Sequence, residues 1–273
     1  MLSEIFVKAM SVIETFPLPQ KGQTERQQLL ILSDKPDYYL LEFNNAPENR
    51  LTMDFIDAFV EALYYLLLKK GDAPKPLVTS STTPKFYSNG LNWEQAKGTP
   101  EFFHRYLGRL QRALIEFPWP TIAHVNGHAF AGAFIVANHH DFKVMNPNKG
   151  WLCMNEIGFD ASLQGPLMSV HSHQYGPRLA RKIAMTGHRF TAAEALKEGL
   201  IDAAGAWPEV DALAKKIKPL VGKYNYRQMR MAIFAPVLDQ TKNFYHYARL
   251  DKAAQREADD FRQEREDDIK AKL

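Results

Sequence analysis

Several groups of residues in this sequence have types and spacings that could do chemistry. Two are glycine-bearing turns. Phe86-Tyr87-Ser88-Asn89-Gly90-Leu91 follows an apolar stretch and precedes a helical one, and Asn126-Gly127-His128-Ala129-Phe130-Ala131-Gly132-Ala133 follows another apolar stretch and opens an apolar helix. Glycine at a strand-to-helix junction lets backbone N–H groups approach a ligand, and a helix N-terminus adds partial positive charge. Brought together, two such turns would supply a two-donor hole for an oxyanion, although each alone also reads as a plain strand-to-helix turn. Glu156, flanked by the apolar Trp151-Leu-Cys-Met and Ile157-Gly-Phe159, taken alone reads as a surface or helix-capping carboxylate, although burial among those neighbours would raise its pKa towards a useful base strength; Asp160 is the rival carboxylate. The nine histidines include His139-His140 and His171-Ser-His173. Either pair could ligate a metal, as in a metal hydrolase, but no third ligand sits at a regular spacing, and ordinary surface or supporting histidines are the plainer reading. No Gly-x-Ser-x-Gly elbow, Walker loop, dinucleotide fingerprint or His-Glu-x-x-His motif is present.

Positioning such groups requires a folded core. The chain has 273 residues, 45% hydrophobic and 24% charged, with a formal net charge of +3 from 34 basic and 31 acidic side chains. That balance is ordinary for a globular protein and excludes disordered, collagen-like and disulfide-scaffold chains. The near-balanced charge argues against a nucleic-acid partner. The single cysteine, Cys153, allows no internal disulfide and fits a reducing compartment. The longest apolar stretches, 62–68 and 129–137, fall far short of the roughly 20 residues that span a bilayer. Glu4 and Lys8 make the first residues a poor signal peptide.

Residues 1–24 are expected to be a loosely tethered arm, a short helix followed by a Pro/Gln-rich connector. Apolar runs near 29–33 and 38–43 read as paired strands, followed by a helix from about Thr52 to Lys70, with Thr52 as N-cap and Gly71 as stop. Strands are expected at 76–80, 120–125 and 142–145, a turn at 86–91, and helices at 101–117 and 127–138. After Gly165 the pattern turns helical, near 165–175, 177–186, 192–198, 208–222 and 226–272. This gives an α/β fold of ββα and βα units over residues 25–205 and a helical C-terminal region over 206–273. The stretch 251–272 mixes charges of both signs. It reads as a solvated helix face with pairs such as Glu266–Lys270, or else as a cationic rim for a phosphorylated ligand. The final Ala271-Lys272-Leu273 is a small–basic–Leu tripeptide of the kind read as a peroxisomal address.

In their order along the chain these motifs resemble the crotonase (enoyl-CoA hydratase/isomerase) superfamily. Asn44-Asn-Ala-Pro47-Glu-Asn49 is similar to the family's turn before its first long helix. Pro120-Thr-Ile-Ala-His-Val-Asn-Gly127 is similar to its Pro-x-Ile-Ala strand, and Met185-Thr-Gly187 through Gly199-Leu-Ile to its Thr-Gly…Glu-Ala…Gly-Leu segment. The resemblance covers about residues 36–205 and implies the crotonase spiral of ββα units, commonly assembled as trimers or dimers of trimers. It implies that the backbone N–H groups of Leu91 and Gly132 bind the thioester oxygen of an acyl-CoA. It assigns the Tyr87, Ser88, Asn89 and Gly90 turn to the CoA part, and Phe130, Phe134 and Trp151 to an acyl tunnel.

Hydratases of the family use two glutamates. The first position is occupied here by Ile135, and the second aligns with Glu156 after one inserted residue. The pattern therefore resembles the Δ3,Δ2-enoyl-CoA isomerases, particularly the plant peroxisomal kind, in which one glutamate moves a proton from C2 to C4. Dienoyl-CoA isomerases carry a further acid at the position of Gln164, which demotes them. Many members have Asp where this chain has Asn92, a departure bearing on local anchoring or selectivity. The implied enzyme is an isomerase of unsaturated fatty-acid β-oxidation in the peroxisomal matrix, using neither metal nor redox cofactor, with coenzyme A as part of the substrate. The implied partners are further copies of the chain and an import receptor reading Ala271-Lys272-Leu273. The alternatives are a hydratase or other acyl-CoA lyase of secondary metabolism, and a non-catalytic acyl-CoA-binding homologue.

Overall fold

A computed structural model describes residues 11–19 and 27–270. In chain order the elements are β1 (Ser11–Phe16), β2 (Leu30–Asp34), β3 (Tyr39–Phe43), α1 (Met53–Lys70), β4 (Leu77–Ser81), β5 (Phe86–Ser88) and α2 (Trp93–Gly98). A π-helical turn, Phe103–Leu107, runs into α3 (Gly108–Glu116), followed by β6 (Thr121–Val125), β7 (His128–Phe130), α4 (Gly132–Asn138), β8 (Phe142–Met145) and β9 (Leu152–Cys153). After a 3-10 turn, Glu156–Phe159, come α5 (Gly165–Thr186), α6 (Ala192–Lys197), β10 (Ala203–Ala204), α7 (Trp207–Ile217), α8 (Tyr224–Ile233), α9 (Ala235–Lys242) and α10 (Phe244–Lys270).

The main sheet has the order β1-β2-β3-β4-β6-β8-β10, antiparallel across its first three strands and parallel thereafter. Both of its faces are covered, because side chains alternate along each strand. Tyr39, Leu41 and Phe43 of β3 face the main core with α1, whereas Leu40, Val78, Ile122 and Val144 face Val210, Ala214 and Ile217 of α7. Helix α1 starts where Thr52 accepts a hydrogen bond from the Phe55 N–H at 3.1 Å, and Lys69 and Lys70 suit the negative end of its dipole. Its apolar side, including Phe55, Phe59, Leu63 and Leu66, is buried at helical spacing against the sheet.

A smaller parallel sheet, β5-β7-β9, positions the candidate site. Ser88 pairs with Ala129, and Phe130 with Cys153. Parallel pairing sends all three strands out at the same end, so the segments that follow them, carrying Leu91, Gly132 and Glu156, emerge side by side.

The structure departs from the sequence expectations in several places. Within the expected arm, Ser11–Phe16 is an edge strand paired with β2, and Phe16 is fully buried. The expected N-terminal helix and the terminal tripeptide lie outside the described residues. The turn expected at 86–91 begins as β5, and the helix expected at 127–138 divides into β7 and α4. Strands β9 and β10 and helix α2 were not anticipated. Each is a short segment whose partners lie far away in the chain, which local periodicity does not report. At the C-terminus, Arg262–Glu266 and Lys270–Asp267 pairs occur in place of Glu266–Lys270.

Candidate active site

Asn49 anchors the first turn of the site. Its side-chain amide donates to Ser81 Oγ at 2.6 Å and to the Tyr87 carbonyl at 3.1 Å, and its own carbonyl accepts from Ser88 Oγ at 2.6 Å. Ser88 Oγ also accepts from the Gly90 N–H at 3.2 Å. Gly90 has φ +76°, and a Cβ there would lie 2.7 Å from the Phe130 carbonyl oxygen and 3.2 Å from the Gly132 nitrogen. Glycine is therefore required twice over, by conformation and by space. Across the junction, a Cβ on Gly132 would come within 3.0 Å of Leu91 Cγ. The two turns that the sequence singled out are thus packed directly against each other.

Gly132 opens α4, where the first N–H groups have no intrahelical acceptor. The Leu91 N–H likewise donates to no carbonyl among the described residues, because Leu51 pairs through the Gly90 carbonyl and the Asn92 N–H. Two free donors therefore sit on adjoining turns at the wall of a cavity of about 730 Å³.

Glu156 lies on the same cavity, 9% exposed, with Oε2 buried and unpartnered. Burial pushes its pKa up to about 7, opposed only by its own backbone N–H. Ile135 lines the wall as an apolar group, and the exposed Asp160 completes the carboxylates there. Cys153, beneath this segment, is buried and its thiol is raised to about 11, mainly by burial, so it is a poor nucleophile at neutral pH.

The remaining sequence candidates separate. Asn89 and Leu91 line the cavity. Tyr87 does not: it is fully buried, with its hydroxyl 2.8 Å from Thr79 Oγ1 and its ring against Phe43. Ser88 is buried as the turn's internal brace. Phe134 is a core side chain packed on His171 rather than a tunnel wall. Phe130 and Trp151 are half-buried on the other side of β7, where they stack with His128 and Arg189. The physical reason is alternation along β7: Ala129 points inward, so its neighbours point away. The apolar wall comes instead from Trp93, Phe103, Leu107, Ile135, Phe159 and Leu167. The π-helical turn that carries Phe103 and Leu107 lies within the helix expected at 101–117. Arg50, also on the cavity, was missed because a lone arginine beside Asn49 carries no signal in one sequence.

The His139-His140 pair is structural. His139 and His140 bond through Nδ1 to the carbonyls of Ile135 and Val136 at 2.7 and 3.0 Å, and burial lowers their pKa values to about 4 and about 3. Among the described residues no group of three or more His, Cys, Asp or Glu side chains is arranged to hold a metal ion. No helix among them is long and apolar enough to cross a membrane.

Residues 39–265 match the family model described as enoyl-CoA hydratase/isomerase. The chain belongs to that family. It is 28% identical over 224 residues to enoyl-CoA delta isomerase 1, peroxisomal, of Arabidopsis thaliana, covering 78% of this chain and 93% of that one. Over 187 residues it is 26% identical to enoyl-CoA delta isomerase 1, mitochondrial, of Rattus norvegicus, covering 65% and 63%. The fold is that of the crotonases. Pseudomonas aeruginosa DspI superimposes with a TM-score of 0.69 at 20% identity, covering 89% of this chain and 92% of that one. An enoyl-CoA hydratase/carnithine racemase from Magnetospirillum magneticum gives 0.68 at 18%, covering 83% and 89%. In this crotonase, then, the cavity combines two unpaired backbone donors with a single buried carboxylate.

Proposed function

We propose that this crotonase converts 3-enoyl-CoA to trans-2-enoyl-CoA. The observation that carries the reading is the pairing of one buried, proton-poised carboxylate, Glu156, with apolar Ile135 on the same cavity wall. In this reading the thioester oxygen accepts hydrogen bonds from the N–H groups of Leu91 and Gly132. Glu156 takes a proton from C2, and the electron pair of that C–H bond delocalises onto the thioester oxygen as a dienolate. The protonated carboxyl then returns the proton to C4, and the double bond moves from C3–C4 to C2–C3. Atoms and electrons balance within the acyl chain, so no metal or redox cofactor is required. Each well-aimed donor contributes roughly 3 kcal/mol to stabilising the oxyanion, and a base with a pKa near neutrality suits proton abstraction and return. Adding water would need a second group to activate it, and Ile135 cannot do so.

The relatives named as delta isomerases support the same choice. The reading extends to a trimeric or hexameric assembly, and to import into the peroxisomal matrix by a receptor for Ala271-Lys272-Leu273. The latter is tested by following an N-terminal fluorescent fusion with and without the last three residues.

Incubating the protein with 3-enoyl-CoA and identifying the product tests the reaction. The expected product is trans-2-enoyl-CoA, with Glu156→Ala slower by roughly 10²–10⁴-fold. Hydration of 2-enoyl-CoA by the wild type faster than isomerisation would overturn the reading, as would indifference to the substitution.

A further inference from the structure

Three consecutive carbonyls of the turn that carries the Leu91 N–H are gripped from residues 50 and 51. Arg50 Nη1 donates to the carbonyl oxygens of Asn89 at 3.0 Å and Leu91 at 3.3 Å. The Leu51 N–H donates to the carbonyl between them, that of Gly90, at 2.8 Å. In a trans peptide the C=O and N–H point in opposite directions. Holding the Gly90 carbonyl towards Leu51 therefore aims the Leu91 N–H the opposite way, away from Leu51.

Gly90 has no side chain to resist rotation, so that peptide would be the softest joint of the turn. Fixing the carbonyl on either side of it removes the freedom to rock. Arg50 is itself held, with Nε donating to Glu48 Oε2 at 2.8 Å, while the Glu48 carbonyl accepts from the Asn89 N–H at 2.9 Å. The ring of bonds closes on the turn it braces. Arg50 lies on the cavity and its side chain is 42% exposed, yet Nη1 faces the turn.

We infer that Arg50 is the positioning residue of the oxyanion hole, clamping the Asn89–Leu91 turn so that the Leu91 N–H stays aimed at the developing oxyanion. The inference rests on the isomerase reading above for the identity of that oxyanion. It places the effect of Arg50 on the transition state, because a misaimed donor weakens the oxyanion more than it weakens the bound ground state. The guanidinium holds both carbonyls through Nη1 while Nε keeps its bond to Glu48, whereas an ammonium has one nitrogen to share among all three.

The test compares Arg50→Met, which keeps side-chain length but no donor, with Arg50→Lys. For Arg50→Met, kcat on 3-enoyl-CoA should fall on the order of 10- to 100-fold with KM changed by no more than about threefold, and Arg50→Lys should recover part of the loss. A second readout avoids turnover. A 3-ketoacyl-CoA bound by the protein is titrated with pH, following the near-ultraviolet absorbance of its enolate. Arg50→Met should shift that enolisation to higher pH, and Arg50→Lys should shift it less. If KM rises while kcat and the enolate titration stay as in the wild type, Arg50 binds the CoA phosphates and the inference fails. It fails equally if nothing changes. A wild type that does not isomerise 3-enoyl-CoA sinks the functional reading instead, and the enolate titration still reports on Arg50.

Discussion

The Glu156 carboxyl has one oxygen without a partner, and burial raises its pKa from 4.5 to about 7. A carboxyl whose pKa is higher in the folded than in the unfolded chain holds its proton more tightly when folded. Its effect on stability is therefore least unfavourable below about pH 4.5 and becomes a growing penalty as pH rises towards about 7. Glu156→Gln should accordingly stabilise the protein more at pH 8 than at pH 5, by a difference on the order of 3 kcal/mol. Thermal or urea melts at the two pH values measure it, and equal gains at both would contradict burial as the cause. For the proposed reaction the sign is opposite: the ionised form would serve as base, so kcat/KM should rise with pH through about 7. Gly90 and Gly132 were legible in the sequence because glycine turns leave local marks, whereas Glu156 stood out only through the family resemblance. Phe134 and Tyr87 misled for the complementary reason. An aromatic near a site motif reads the same whether it faces the cavity or the core, and only the direction of its strand or helix decides.

At the scale of elements, long periodic segments such as α1 and the strand Thr121–Val125 were readable from pattern alone. Short strands were not. Strand β1 carries Pro17 and Pro19 just beyond its end and a register irregularity between Val12 and Glu14, features that in sequence resemble a connector. Its pairing with β2 nonetheless adds an edge strand to the main sheet, and Phe16 packs edge-on against Tyr65 of α1 with ring centroids 5.4 Å apart. Phe16→Ala should therefore cost roughly 3–5 kcal/mol, seen as a lower denaturation midpoint. A loss below about 1 kcal/mol would mean that the segment is the loose arm its sequence suggests. Strands β5, β7 and β9 have two or three residues each. Their strand character comes from one another, which is why the two glycine turns read in sequence as a bare turn and a helix start.

At the scale of the whole molecule, α10 stands out from its own chain. Beyond Ala248 its described side chains are exposed, among them Leu250, Phe261 and Ile269. The exposed ion pairs along it contribute little by themselves. A helix this long with apolar groups in water gains stability from being covered, consistent with the proposed homo-oligomer. Truncation after Gln255 should leave a core that still melts cooperatively but has fewer subunits per particle by light scattering than the full chain. An unchanged subunit number would put the assembly interface elsewhere. The sequence alone carries the α/β class and the two glycine turns in local residue type and spacing, whereas Glu156 and Ile135 take their meaning from the family resemblance. The tertiary structure shows which side chains line the cavity, that β1 extends the main sheet, and that Arg50 bonds the Asn89 and Leu91 carbonyls. Those outcomes depend on contacts between residues distant in the chain and on which way each strand turns its side chains, and no local pattern encodes either.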